Sequence, residues 1–214
     1  MRFRDRRHGG RALAEVLRER KLHDPIVLAL PRGGVPVAFE VAEALDGPLD
    51  VFVSRKIGCP WQPELGIGAV AEGGQVLVRE EVLTELGVSR ESSDALAAAV
   101  GLDVDDRVRR YRGTRALPPV RNRDVLLVDD GLATGVTAHA ALLALRALGP
   151  RWLLLAAPAG AASTAAALRE VADEVTCVVE AADFQAVGHW YDDFHQTSDA
   201  EVLALLDRAR GDAR

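Results

Sequence analysis

Residues 125–137, VLLVDDGLATGVT, hold the densest chemistry in the chain. An apolar run passes straight into adjacent carboxylates, Asp129 and Asp130. A loop with two glycines and two threonines follows, and then a helical pattern begins. In parallel sheets, ligands sit at the carboxyl ends of strands, where such a loop must lie. Gly131 and Gly135 let the backbone approach a ligand closely. Loop amides and a helix N-terminus offer partial positive charge to an anion, and Thr134 and Thr137 add hydroxyl donors. The loop therefore suits a phosphate. Asp129 and Asp130 would repel a second phosphate but accept hydrogen bonds from sugar hydroxyls. A ribose joined to that phosphate is the ligand this pattern describes.

Two basic segments could serve the same crevice. Residues 30–36, LPRGGVP, follow an apolar run, and there Arg32 with Gly33 and Gly34 could hold a diphosphate through a guanidinium fork and backbone amides. Residues 54–58, SRKIG, also end an apolar run, so Arg55 and Lys56 can point the same way. The plainer alternatives are a strand-to-helix turn with Arg32 solvated, and a surface charge pair at Arg55 and Lys56. Other phosphate motifs fit worse. A P-loop needs Lys and Ser or Thr after its last glycine, and Gly135 is followed by Val136. The GIGAVA run at 66–71 imitates a dinucleotide fingerprint, but no strand precedes it and no helix opens after it.

The elements that must position these loops are readable. Continuous apolar runs at 26–30, 50–54, 125–128, 152–157 and 174–179 read as strands covered on both faces. Helical patterns at 35–45, 137–148 and 163–172 separate them. The alternation predicts βαβ units and a parallel sheet. The stretch 58–115 breaks this rhythm. It opens on a proline-rich loop at 59–63, then reads as a weak strand or hairpin at 66–78 with Gly73-Gly74 as its turn, then as charged helices at 80–86 and 92–111. A linker follows to about 119. The predicted organisation is one domain over 1–214. Its core spans about 22–58 and 116–180, its insertion or lid about 59–115, and its hood with a C-terminal helix about 181–210. Ser198 or Asp199 caps that last helix. The first helix is predicted to be amphipathic, with Leu13, Val16 and Leu17 inward and its arginines outward.

Composition bounds the function classes. With 214 residues, 49% of them apolar, a sizeable core is expected. The net charge of -6 argues against nucleic acid as the main partner. Cys59 and Cys177 are the two cysteines, with neither a metal spacing nor a disulfide framework, which fits a reducing cytoplasm. No apolar run approaches ~20 residues, so no membrane span is expected. The N-terminus is arginine-rich but lacks the apolar stretch of a targeting peptide.

Residues 128–137 resemble the phosphoribosyl pyrophosphate (PRPP) signature of the type I phosphoribosyltransferases, a pair of acids after apolar residues followed by a small-residue phosphate loop. The resemblance implies an α/β, Rossmann-like parallel-sheet fold with helices on both faces, a helical insertion and a small C-terminal hood. It implies that Asp129 and Asp130 bind the ribose 2- and 3-hydroxyls. Gly131, Leu132, Ala133, Thr134, Gly135, Val136 and Thr137 would wrap the 5-phosphate. Arg32, Gly33, Gly34, Arg55 and Lys56 would bind pyrophosphate, Asp129, Asp130, Lys56 and Arg32 being the catalytic set. In that family the loop at Arg32 often holds a non-proline cis peptide, and the loop after the basic pair closes over the reaction. Mg²⁺ would be held mainly by PRPP and water, with no dedicated protein cage. The implied activity is transfer of phosphoribose from PRPP to a nitrogenous acceptor. A non-catalytic PRPP- or nucleotide-binding regulatory module is the alternative, and a sugar-phosphate hydrolase finds no nucleophile–base constellation. Homodimers are usual among such proteins.

The segment 182–194 is rich in aromatics in a chain with only 5% of them. By the resemblance, Phe184, Val187, Trp190 and Tyr191 could stack on an acceptor, and Asp192 and Asp193 could read its amino groups. Equally, these aromatics could cover the sheet edge and anchor the C-terminal helix. His189, Asp192, Asp193 and His195 match no standard metal spacing. The ending of residues 187–198 also resembles that of uncharacterised predicted phosphoribosyltransferases.

Overall fold

The computed structural model describes residues 1–211, and of Glu64 the backbone alone. Helix α1 (Arg6–Leu17) leads to strand β1 (Ile26–Ala29), helix α2 (Gly34–Leu45) and strand β2 (Leu49–Val51). Strands β3 (Ser54–Cys59), β4 (Gln62–Ala71) and β5 (Gln75–Val78) follow, with helices α3 (Glu80–Leu86) and α4 (Arg90–Arg112). The chain returns through β6 (Asp124–Val128), α5 (Val136–Ala147), β7 (Trp152–Ala161), α6 (Ala162–Leu168) and β8 (Glu174–Ala181). A 3₁₀ turn at Val187–Trp190 precedes α7 (Asp199–Gly211).

Five strands form a parallel sheet in the order β2-β1-β6-β7-β8. Their apolar runs are continuous because both faces are covered. Val27, Leu126 and Leu154 pack with α1, α2 and α7, whereas Ile26, Leu28, Leu127 and Leu155 pack with α5 and α6. The alternation of the pleat thus decides which layer each residue joins. Register matters most between β1 and β6, where Ala29 pairs with Val128. Both strands end level, and the Leu30 amide still reaches the Val128 carbonyl at 2.8 Å. The loops after them must therefore lie side by side.

The insertion departs from the sequence-based expectation in one respect. Residues 59–63 are not a loop. β3 runs through Cys59, turns at Pro60 and Trp61, and pairs back onto Gln62 of β4. Pro63 is tolerated because it falls in an irregular stretch, where the register shifts between Ile57 and Cys59 and the ladder needs no amide from it. The expected hairpin forms from β4 and β5, its turn carried by Gly73 and Gly74 at φ 83° and 81°. The apolar run expected at 50–54 also divides: β2 ends at Val51 and β3 begins at Ser54.

Long-range ties fasten the insertion and the chain ends. Arg112, at the end of α4, is 3% exposed and donates to Glu72 at 2.9 Å and to the Val51 carbonyl at 2.6 Å, with Asp50 at 3.4 Å. Phe3 pairs with the segment after β8, its amide on the Trp190 carbonyl and its carbonyl accepting from Asp192, both at 2.8 Å. Helix α7 begins with a reciprocal cap, the Ser198 hydroxyl accepting from the Glu201 amide and the Glu201 carboxylate accepting from the Ser198 amide. No described helix is long and apolar enough to cross a membrane.

Arg112→Ala strands the Asp50 and Glu72 carboxylates in the interior. Its unfolding free energy should fall by about 3–5 kcal/mol in denaturant titration, because a buried pair is broken from one side. A loss below about 1 kcal/mol would place Arg112 among the exposed pairs that contribute little.

Candidate active site

Asp129 and Asp130 leave the carboxyl end of β6 as expected, and Asp130 is gripped from several elements at once. Arg6 donates from Nε to Asp130 Oδ2 at 2.8 Å, with the two side chains only 9% and 15% exposed. The Tyr191 hydroxyl donates to the Asp130 carbonyl at 2.6 Å. Gly33 lies so close that a side-chain carbon there would overlap the Asp130 carboxylate, so the glycine is a requirement of this contact. The Asp129 carboxylate turns back to accept from the Asp130 amide at 2.8 Å. Burial, and then the charge of Asp130, push the Asp129 pKa well above the ordinary carboxylate value, with Arg6 pulling weakly the other way.

The loop from Gly131 to Thr137 is fixed to the sheet by its second residue. The Leu132 amide donates to the Ala159 carbonyl at 2.9 Å, and the Leu132 carbonyl accepts from Ala161 at 2.8 Å. The Thr164 hydroxyl donates to the Ala133 carbonyl. Gly135 opens α5 at φ 69°, a left-handed conformation, and Thr164 and Leu168 leave no room there for a side chain. Thr134 stays exposed. A cavity of about 420 Å³ adjoins the loop, lined in part by Arg79, Thr134, Gly135, His139 and Thr164.

The basic residues gather nearby, though from a different element than expected. The Pro31–Arg32 peptide is cis. Arg32 Nη1 stands 3.8 Å from Asp199 Oδ1 at the start of α7. Arg55 and Lys56 lie within strand β3, not on a loop, because β3 pairs with β4 along this stretch. Arg55 pairs with Asp103 at 2.9 Å. The Lys56 stem packs on Gly66, where Val136 of α5 also approaches, so its strand runs beside the phosphate loop.

The aromatic segment divides between two roles. Phe184 and Trp190 stack with centroids 5.7 Å apart, and Val187 packs directly on Gly131. Tyr191 is different. It is 1% exposed between Phe3 and Phe194, and its hydroxyl is spent on Asp130. Burial raises its pKa steeply. Its side chain is closed to an acceptor and anchors the chain's beginning rather than its last helix. Asp192 faces Arg2, and Asp193 faces His195.

Sequence reasoning missed Arg6, having turned the arginines of α1 outward. Arg6 is 8% exposed, sits over the Phe194 ring at 3.9 Å, and donates to the His195 carbonyl at 2.6 Å. A signal existed: Arg6, Gly10, Leu13 and Leu17 recur at the spacing of one helix face, the face that is buried.

An acid pair after a central strand, a glycine-opened loop into a helix and a basic loop from the neighbouring strand, on this sheet order, define the class: a type I phosphoribosyltransferase fold. Comparison with known proteins agrees. The family model described as phosphoribosyl transferase domain matches residues 6–193, and the chain belongs to that family. A Mycobacterium tuberculosis protein (strain H37Rv), provisionally named a phosphoribosyl transferase, is 44% identical over 210 residues covering 98% of this chain. A protein of strain CDC 1551 with the same provisional description matches equally. The chain spans about half the length of these curated relatives, 47%. The crystal structure of TT1426 from Thermus thermophilus superposes with a TM-score of 0.82 at 43% identity, covering 96% of this chain and 98% of that one.

The raised Asp129 pKa has a consequence for stability. A carboxyl that binds its proton more tightly when folded destabilises the native state above its unfolded pKa, about 3.9. Asp129→Asn should therefore melt above the wild type at neutral pH, and the gain should shrink toward zero as pH falls through 4. A gain that is absent, or that grows on acidification, contradicts the assigned shift.

Proposed function

We propose that the chain transfers the 5-phosphoribosyl group of PRPP to a nitrogenous base or a related heterocycle, with release of pyrophosphate. The observation that carries this reading is the contact of Gly33 with the Asp130 carboxylate. It sets a loop suited to diphosphate against a carboxylate suited to ribose hydroxyls, with the phosphate loop continuing from the same strand. These three subsites follow the order of phosphate, sugar and diphosphate in PRPP.

In this reading Asp129 and Asp130 accept hydrogen bonds from the ribose hydroxyls. Backbone amides from Ala133 to Thr137, with the Thr134 and Thr137 hydroxyls, hold the 5-phosphate at the start of α5, the Leu132 amide being spent on Ala159. Cleaving the C1–O bond leaves an oxocarbenium-like ribosyl group and a strongly anionic leaving group. Arg32, Arg55 and Lys56 meet that charge. Arg6 and Tyr191 keep Asp130 in place throughout. No protein nucleophile is needed. The acceptor ring finds apolar surface at Val187, beside the Phe184–Trp190 stack.

Magnesium fits this donor set only as an ion carried with the ligand. Among the described residues no three His, Cys, Asp or Glu converge, and Asp130 is already paired to Arg6, so Asp129 is the carboxylate of the pair that could reach an ion brought by the ligand. Bound with PRPP and water, the ion would neutralise charge on the departing pyrophosphate.

With Mg²⁺ present, PRPP at about 100 times its dissociation constant should stabilise the protein by roughly 2.7 kcal/mol. The shift in melting temperature should exceed that given by ribose 5-phosphate. Asp129→Asn with Asp130→Asn should abolish the PRPP shift. No shift with either ligand, or a double variant that binds as the wild type does, overturns the reading. Lys56→Ala should lower kcat more than it weakens PRPP binding, because the charge it meets grows as the bond breaks. An effect confined to KM contradicts that role.

A further inference from the structure

Helix α4 presents Asp103, Arg107 and Tyr111 at four-residue intervals, a single stripe along one face. The stripe faces the basic residues of the site. Asp103 Oδ2 pairs with Arg55 Nη1 at 2.9 Å and reaches Arg107 Nε at 3.4 Å, its other oxygen lying 3.3 Å from the same atom. The Tyr111 hydroxyl donates to Asp199 Oδ1 at 2.6 Å, and Asp199 also takes Arg110 and stands 3.8 Å from Arg32. Arg32, Arg55, Arg107 and Arg110 thus share two carboxylates, Asp103 and Asp199.

Arg32 and Arg107 are the least satisfied of the four, Arg32 reaching Asp199 only at 3.8 Å and Arg107 meeting Asp103 on its Nε side alone. The Arg107 side chain is 22% exposed, yet among the described residues only its Nε has a partner, leaving the two terminal nitrogens of the fork unpaired. Crowding of like charge is felt by its neighbours: the Arg55 pKa is lowered first by burial, then by Arg107, with Arg32 adding to it. Tyr111 is pushed up to about 12, by burial first and then by its bond to Asp199, so it remains a donor at neutral pH. The buried Arg112 network holds this end of α4 to the core, so the stripe is not free to swing away.

We infer that Arg107 is a diphosphate-binding residue contributed by the insertion, and that the diphosphate of PRPP replaces Asp103 as the partner of Arg55 and Arg107. A guanidinium fork with two unpaired nitrogens matches a phosphate edge, which a carboxylate held at the Nε side does not. This rests on the reading of the site as a PRPP site.

Calorimetric titration of the full chain with PRPP and Mg²⁺, pyrophosphate and Mg²⁺, and ribose 5-phosphate tests it. Arg107→Ala should weaken PRPP and pyrophosphate about tenfold or more, the loss expected for a charged hydrogen bond, while ribose 5-phosphate stays within about twofold. Arg107→Lys should fall between, keeping the charge without the fork. Asp103→Asn should bind pyrophosphate more tightly than the wild type, and this holds the inference open to refutation even if Arg107→Ala does not fold. Equal affinity of wild type and Arg107→Ala for PRPP, or an equal loss for ribose 5-phosphate, overturns the inference while leaving the PRPP reading intact. A wild type that binds none of the three overturns both.

Discussion

The placement of the Asp130 carboxylate is the constraint on which the rest of the site depends. It is a charge with little exposure, so it needs a partner inside the fold, and Arg6 is that partner. That single ion pair brings helix α1 to the carboxyl end of the sheet. The Tyr191 hydroxyl, on the Asp130 carbonyl, brings the segment after β8 to the same point, and the Phe3 pairing closes the two together. Gly33, pressed against the carboxylate, brings the loop of β1. The level ends of β1 and β6 set that loop beside Asp130.

Electrostatics divide the site along its length. The carboxylates stand at β6, and the guanidinium groups stand on the β1 loop, on β3 and on α4. A ligand with hydroxyls in its middle and anionic groups at both ends suits that division. Asp103 and Asp199 answer part of the excess cationic charge within the protein. Those pairs are partly exposed and contribute little to stability, so a phosphate can compete for the same cations at small cost.

Much of this was legible in the sequence, for physical reasons. Strands covered on both faces must be apolar throughout, and the runs around Val27, Leu126 and Leu154 are. A tight loop between strand and helix needs glycine where φ is positive, and Gly135 occupies that position. Illegible were features set by tertiary pairing. Prolines at 60 and 63 looked like a loop because a broken ladder can spare an amide, and nothing local announces where a ladder breaks. Which of two roles Tyr191 takes, acceptor contact or anchor, was open in the sequence because burial by Phe3, nearly the whole chain away, leaves no local trace. Arg6 could have been found, since it shares a helical face with Leu13 and Leu17, but charge was taken as the mark of an outer surface.

The most direct test of the account is a crystal structure of the protein soaked with PRPP and Mg²⁺. The account predicts ribose hydroxyls on Asp129 and Asp130, the 5-phosphate against the amides of Ala133 to Thr137, and the diphosphate between Arg32 and the basic strand β3. Density for PRPP elsewhere, such as the cavity lined by Arg6, Pro36, His195 and Arg208, would contradict it, as would a 5-phosphate outside the loop that begins at Gly131.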